Sequence, residues 1–581
     1  MSTSFDAQLS DPGARRPAAP SGGPAAGAWW RSAVIYQVYP RSFADGDGDG
    51  TGDLAGVRAR LPYLRDLGVD AVWFTPWYWS PLVDGGYDVA DYRTIDPAFG
   101  TLAEAEELIA EAARLGIRTI VDVVPNHVSD QHEWFRKALA AGPGSPERER
   151  FWFHPGKGED GSQMPTRWVS SFQGATWTRT IDDDGSPGEW YLHLFTPQQP
   201  DLNWNHPEVR REHEDILRFW FDRGVSGIRI DSAALLVKDP ALPEVDDSPV
   251  PPGEHRQHPF TDRDELHDIY RSWRAVADSY DEPRLLVGEI WLPDARRFAD
   301  YLRPDEMHTA FNFDLMTCPW EARALRASIE ATLSAHALVG APATWVLSNH
   351  DVTRPVTRYG RSDTAFSFEA KRFGTPTDLA LGTRRARAAA LLTAALPGSL
   401  YVYQGDELGL PEVEDLPDDA RQDPMFFRSG GVDPGRDGCR VPLPWRADPA
   451  RAFGFQDAPP TAPPWLPQPS WWGRYAADAQ ARDPASMLSL YRAALAVRRR
   501  EPGLRGGSFA WADPVTGDPT TTGAGPDAAH AAVLAFARDD VVCLVNLGGE
   551  QVPLPPGEVL VASGDVSAGS LAPDTAVWLR R

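Results

Sequence analysis

The chain is poor in cysteine, short of positive charge and without a long apolar run. Its 581 residues include three cysteines, Cys318, Cys439 and Cys543. These are too few and too scattered for a disulfide framework, and they suit a reducing compartment. No metal-ligand spacing connects them. Lys and Arg number 57 against 82 Asp and Glu, a net charge of -25. So acidic a surface repels polyphosphates, and nucleic acid is not an expected partner. No stretch approaches the roughly 20 apolar residues that cross a bilayer, so no membrane association is expected. The N-terminus is rich in Ala, Pro, Gly and Ser and lacks the charged start and apolar run of a secretory signal. Residues 1–28 read as a disordered tail, and the protein is expected to be soluble and cytoplasmic. Monomer and homodimer both remain open.

What is present is length, ordinary composition and alternation. Hydrophobic residues make up 42% and charged residues 24%, with 22 Trp. Most of the Trp are expected as buried filler, since indoles carry large apolar area. Strand-like runs alternate with helix-like runs from about residue 34 to 500. The strand candidates are Val34–Phe43, Val69–Pro76, Arg118–Pro125, Gly227–Asp231, Leu285–Ile290, His308–Asp314, Thr344–Ser348 and Leu400–Tyr403. Amphipathic segments such as Leu102–Leu115 and Pro207–Arg223 lie between them. Such alternation predicts a parallel sheet with right-handed crossovers, and eight repeats predict closure into a (β/α)₈ TIM barrel.

The third and fourth runs are separated by far more than an ordinary loop. An inserted domain is therefore expected at 128–203, between barrel segments 29–127 and 204–500. From Glu501 onward the chain turns Gly- and Val-rich, with short apolar runs such as Val541–Asn546. Residues 501–581 read as a C-terminal antiparallel β-sandwich.

Three carboxylates each close a short apolar run: Asp231 after Gly227-Ile-Arg-Ile, Glu289 after Leu285-Leu-Val-Gly, and Asp351 after Trp345-Val-Leu-Ser-Asn-His. Buried parallel strands deliver such end residues to the catalytic rim of a barrel. Paired carboxyls are what acid/base work on a glycosidic bond requires. Arg229, two residues before Asp231, shares its face of the strand and is expected to keep it ionised. Glu289 has an apolar approach, which suits a carboxyl held protonated by desolvation. Further polar motifs follow the second and third strands, Gly85-Gly-Tyr87-Asp88 and Asp122-Val-Val-Pro-Asn126-His127, and Gln199-Pro-Asp-Leu-Asn203 precedes the fourth. Each of these by itself also fits an ordinary turn or helix cap.

Together the segments around Asp122–His127, Gly227–Asp231, Glu289 and Asn349-His350-Asp351 resemble the four signature regions of the α-amylase family, glycoside hydrolase family 13. Gln199–Asn203 is similar to the extra signature of its oligo-1,6-glucosidase and α-glucosidase branch. The resemblance implies Asp231 as nucleophile, Glu289 as general acid/base and Asp351 as transition-state stabiliser. It implies that Arg229, His127 and His350 serve the innermost sugar site and that Tyr87 stacks on the sugar. It also implies that Asp88 and Arg440 grip the terminal glucose and close the site into a pocket. The activity implied is that of a retaining exo-α-glucosidase acting on maltose and short α-glucosides. Ser232, beside the nucleophile, is the smaller, polar residue associated with α-1,4 bonds. The alternatives are a transglucosidase or isomerase of trehalose-synthase, sucrose-active or oligo-1,6-glucosidase type.

The segment Asp45-Gly-Asp47-Gly-Asp49-Gly-Thr51-Gly-Asp53 places acidic groups at alternate positions, with a backbone carbonyl at Thr51. That pattern wraps a hard cation. Its twelfth position is Gly56, not the glutamate of an EF-hand. A structural Ca²⁺ or Mg²⁺ is expected there, as the resemblance also implies, and no organic cofactor.

Overall fold

The computed structural model describes residues 28–581 except 183, 247, 249–255, 312, 369–372 and 520–530. The expected N-terminal tail, apart from Ala28, lies outside the described residues. Eight parallel strands form one sheet: β1 (Val34–Val38), β2 (Ala71–Phe74), β3 (Arg118–Val123), β4 (Gly227–Ile230), β5 (Leu285–Gly288), β6 (Thr309–Ala310), β7 (Thr344–Val346) and β8 (Ser399–Tyr403). Their order is β6-β5-β4-β3-β2-β1-β8-β7. The hydroxyls of Thr309 and Thr344 meet across the gap between β6 and β7, closing the ring. Apart from the exposed first residue of β3, β1–β5 and β8 are buried along their whole length, as expected of strands covered on both sides.

Several runs end earlier than their composition suggests. Pro40 cannot donate to a ladder and instead opens the short helix Pro40–Phe43, which stops β1. The sixth run pairs over only two residues and then becomes the helix Phe313–Thr317. Of its aromatic residues, Phe311 packs inside the barrel against Trp73 and Tyr401, and Phe313 stacks on Trp291 at 3.9 Å.

The helices outside the sheet begin where the sequence supplies caps. Asp53 accepts from the Gly56 N–H at the start of Leu54–Leu67, and Gly68 ends that helix in the left-handed region, at φ 99°. Thr101 and Glu104 form a reciprocal capping box for Leu102–Arg114. Among the described residues no helix is long and apolar enough to cross a membrane.

Between β3 and β4 lies a three-stranded antiparallel sheet of Phe153–His154, Trp177–Ile181 and Pro187–Leu192. A fully buried ion pair fastens the end of this insertion to the barrel. Lys238 Nζ donates to Asp201 at 2.7 Å and to the Asn126 side-chain oxygen at 2.6 Å. After the barrel, five antiparallel strands run in the order Ala510–Trp511, Val533–Arg538, Val541–Asn546, Thr575–Arg580 and Glu558–Ala562. A separate two-stranded sheet accompanies them. The Trp578 indole donates to the Leu391 carbonyl, docking this unit on the helix Leu379–Ala395.

Candidate active site

Sheet register brings the key side chains together. Gly288 of β5 pairs with Ile230 of β4, so Glu289 and Asp231 leave the sheet side by side. Asp122 of β3 pairs with Arg229 of β4, which puts both on the inner face. Arg229 is 1% exposed and sits at the centre. Its Nη1 donates to Asp122 Oδ1 at 2.9 Å and to Asp231 Oδ1 at 2.6 Å, and its Nη2 donates to Glu289 Oε2 at 2.6 Å. One guanidinium therefore serves three carboxyls.

This corrects two expectations. Glu289 does not sit in apolar surroundings. Besides Arg229, it accepts from the Ser232 backbone N–H at 3.0 Å and from the Trp291 indole at 3.1 Å. Nor does Arg229 hold Asp231 below its ordinary range. Burial pushes the Asp231 carboxyl well up, Arg229 pulls against it, and Glu289 and Asp122 push it further up. Asp122 is likewise raised by burial, to about 7, against the pull of Arg229. With one cation for three buried carboxyls, the cluster favours keeping a proton.

At the rim the balance reverses. Burial pushes Asp351 up but is outweighed by His350, Arg436 and Arg440, and the carboxylate is held well below the usual range. Arg436 reaches Asp351 Oδ1 at 2.9 Å and Arg440 reaches the same oxygen at 3.0 Å. The Gln37 amide donates to His350 Nδ1 at 2.7 Å, and His350 Nε2 lies 3.3 Å from Asp351. Tyr87 lays its ring on the His350 imidazole, 5.1 Å apart and 4° from parallel, and donates its hydroxyl to Asp122. His127 is oriented by the Asn126 amide and by the Tyr87 carbonyl, and burial lowers it to about 3, so it is neutral.

These groups line a cavity of about 380 Å³ that includes Asp84, Tyr87, His127, Asp231, Glu289, His350, Asp351 and Arg436. Phe172 and Phe195 of the insertion, with Trp291, Phe368 and Met425, supply its apolar walls.

The expected pair of Asp88 and Arg440 does not form. The buried Asp88 carboxylate accepts from the backbone N–H groups of Val83 and Asp84, holding the turn. Arg440 donates to the His350 carbonyl and to Asp351. Neither lines the cavity. The ion pair that does is Asp84 with Arg436, at 2.7 Å. Arg436 is fixed in turn by Asp423 at 2.6 Å and lies over the Phe172 ring. The Gln199 amide donates to the second Asp84 oxygen at 3.1 Å. The turn at Gly85-Gly86, both left-handed, is what separates Asp84 from Asp88 in role. Two glycines directly after an acid were the available sign.

Ser232 also carries more than its size suggests. Its φ is 45°, an uncommon conformation for a residue with a Cβ, and it accompanies a backbone N–H turned toward Glu289. Such strain costs roughly 1–3 kcal/mol and clusters at functional sites.

The acidic loop lies apart from the cavity. Asp45, Asp47 and Asp49 bring one carboxylate oxygen each within 4.8 Å of one another. Asp53 is not among them. It accepts from the N–H groups of Gly46, Asp47 and Gly56, as the cap of the following helix. Thr51 donates its N–H to Asp49. The loop is tied to the chain after β8, where Gln456 bonds both Asp45 and the Gly48 carbonyl. Three hard oxygen donors fit a hard cation; Asp53 is committed to the helix cap, whereas the Thr51 N–H bond does not engage the carbonyl expected to ligate.

Residues 37–507 match the family model described as alpha amylase, catalytic domain, and residues 516–578 match one described as a domain of unknown function. The chain is 34% identical over 570 residues to a protein of Rhizobium meliloti (strain 1021) named probable alpha-glucosidase, covering 93% of this chain and 94% of that one. It is 32% identical over 502 residues to an oligo-1,6-glucosidase of Parageobacillus thermoglucosidasius, covering 81% and 84%. Among solved structures it resembles an alpha-glucosyl transfer enzyme, with a TM-score of 0.78 and 33% identity over 95% of this chain and 99% of that one. A parallel barrel carrying three carboxyls after β4, β5 and β7, matched over most of its length, thus places this chain in the α-amylase family, glycoside hydrolase family 13.

Proposed function

We propose that this protein is a retaining exo-α-glucosidase that releases terminal glucose from maltose and short α-glucosides. The observation that carries the reading is the Asp84–Arg436 ion pair in the wall of the cavity that holds Asp231, Glu289 and Asp351. Charged partners at that place suit the grip on terminal glucose hydroxyls and favour a pocket over an open cleft.

In this reading Asp231 attacks the anomeric carbon, and the bond to the leaving oxygen breaks as Glu289 protonates that oxygen. Water then gives a proton to Glu289 and its oxygen to the glucosyl group, freeing Asp231. Two carboxyls held on one guanidinium are near neighbours, in keeping with the about 5–5.5 Å of a retaining pair. Asp351, kept ionised, stabilises the positive charge of the transition state. His350 and His127, whose two ring nitrogens are held by Asn126 and Tyr87, line the innermost sugar site, and Arg229 orients both reacting carboxyls. Ser232 supports α-1,4 preference. A second reading, glucosyl transfer to a sugar acceptor, is favoured by the likeness to an alpha-glucosyl transfer enzyme.

A panel of α-glucosides of defined linkage, with products identified over time, tests both. Glucose alone from maltose supports hydrolysis, longer saccharides or trehalose support transfer, and no turnover of any α-glucoside sinks both.

A structural cation held by Asp45, Asp47 and Asp49 belongs to the same proposal. Its chemistry would be to neutralise three clustered carboxylates. Chelation is expected to lower Tm, and an unchanged Tm with no bound metal by elemental analysis counts against it.

A further inference from the structure

β1 carries none of the segments that mark the catalytic rim, yet it places one polar side chain inside the barrel. Gln37 stands two residues after Ile35 on that strand and so shares its inward face. Ile35 packs there with Trp73, Val346 and Tyr401. Gln37 is 1% exposed. An amide at so apolar a place costs stability unless it is hydrogen-bonded. Its side-chain nitrogen lies 2.7 Å from His350 Nδ1.

The other neighbours of His350 decide which way that bond runs. Burial lowers the ring to about 3; Asp351 pulls the other way, while Arg440, Arg229 and Arg436 act with burial. The ring is therefore neutral and carries one proton. Its Nε2 lies 3.3 Å from Asp351 Oδ2. Arg436 and Arg440, both on the other oxygen, keep Asp351 ionised, and an ionised carboxylate only accepts. The proton thus belongs on Nε2, Nδ1 keeps its lone pair, and the Gln37 amide is the donor to it. Three rings hold the imidazole against turning over to exchange its nitrogens. Tyr87 lies parallel to it at 5.1 Å, Tyr39 is stacked at 6.0 Å and Trp73 stands edge-on at 6.2 Å.

We propose that Gln37 is a positioning residue for the chemistry at the rim: its amide N–H occupies His350 Nδ1 and so holds the imidazole as a donor through Nε2, toward Asp351 and the sugar site. Without Gln37 a buried acceptor loses its donor, and the ring shifts or takes a second proton. Only the kinetic part of the test rests on the glucosidase reading.

Nitrogen-15 spectra of the full chain labelled at histidine test the proposal, with the His350 signals identified by their loss in His350→Gln. At neutral pH Nε2 should be protonated and Nδ1 unprotonated, at the shift of a nitrogen that accepts a hydrogen bond. Gln37→Met removes the donor and keeps the length. Its Nδ1 signal should move to the shift of an unbonded or a protonated nitrogen. In the same variant kcat/KM on maltose should fall about tenfold, mainly in kcat. Gln37→Asn, whose amide is one methylene short, should act in the same direction and serves if the methionine variant does not fold. A native Nδ1 that carries the proton overturns the proposal. So do variant spectra in which Nδ1 stays in place with only Tm lowered, as for a Gln37 that merely packs, and so does a native kcat in a variant whose Nδ1 has moved. If the native protein turns over no α-glucoside, the glucosidase reading fails while the spectra still decide the donor at Nδ1.

Discussion

Two arginine clusters hold the carboxyls of one cavity and shift Asp231 and Asp351 in opposite directions. On the barrel floor a single guanidinium, Arg229, serves Asp122, Asp231 and Glu289, and Asp231 is driven well up. At the rim Arg436 and Arg440 both reach Asp351, which is held well down. A third site extends the series. Glu407, buried below the end of β8, accepts from Tyr36 and Tyr63 hydroxyls at 2.9 and 2.8 Å, and burial raises it to about 7. All three are deeply buried, so depth does not separate them. The opposing charge facing each does: His350, Arg436 and Arg440 face Asp351, whereas three carboxyls share Arg229 on the floor, and desolvation penalises every buried charge unless a nearby opposite charge offsets it. For Asp231 to attack as a carboxylate, the proton held by the floor must sit on another carboxyl of the cluster, while the ionised rim stabilises positive charge.

The comparison can be broken first at the reacting groups. Asp231→Asn and Glu289→Gln should each lower kcat by roughly 10⁴-fold or more with the far-UV circular dichroism unchanged. Near-wild-type turnover in either ends the assignment.

Next come the arginines. Arg229→Met leaves three buried carboxyls without their cation and should cost about 3–5 kcal/mol of stability in urea unfolding. Arg440→Met leaves Asp351 with Arg436 and should cost clearly less. Equal losses would mean that the opposing charge does not set the difference.

The exchange of Asp88 for Asp84 is a smaller and sharper test. Asp84→Asn weakens a charge-assisted contact and should lower kcat/KM on maltose about ten- to hundredfold. Asp88→Asn should leave kcat/KM within a few-fold and reduce stability by about 1 kcal/mol, through the Val83 and Asp84 N–H groups it holds. The reverse ranking would restore Asp88 to the pocket.

The smallest effect is in pH. Glu407 is raised from 4.5 to about 7, so between those values it is protonated when folded and ionised when unfolded. The stability it lends is complete below about 4.5 and is lost as pH rises to about 7. Glu407→Gln should flatten Tm against pH across that window, and an unaltered slope would remove Glu407 from the series.

Much of this was legible in the chain. Short apolar runs closed by Asp231, Glu289 and Asp351 mark strand ends because a covered parallel strand tolerates charge only where it leaves the sheet. The barrel and the position of the inserted sheet followed from spacing. What was not legible depends on contacts distant in sequence. Arg436 and Arg440 are four apart in one loop, and nothing in their neighbourhood says which faces Asp84, 352 residues away. The sixth run reads as a strand to Asp314, yet Phe313 packs on Trp291 instead. Asp53 fits a cation loop and a helix cap equally well, and the helix that begins at Leu54 takes it.

The sequence by itself determined the fold class, the three carboxyls and the arginine beside them, since periodicity and strand-end chemistry are local properties. Only the tertiary structure decided which acid meets which arginine, and with that which carboxyls stay charged. Proton affinity in a buried site is a sum over neighbours drawn from β3, β4, β5, β7 and the loop after β8. Those neighbours meet only once the barrel has closed.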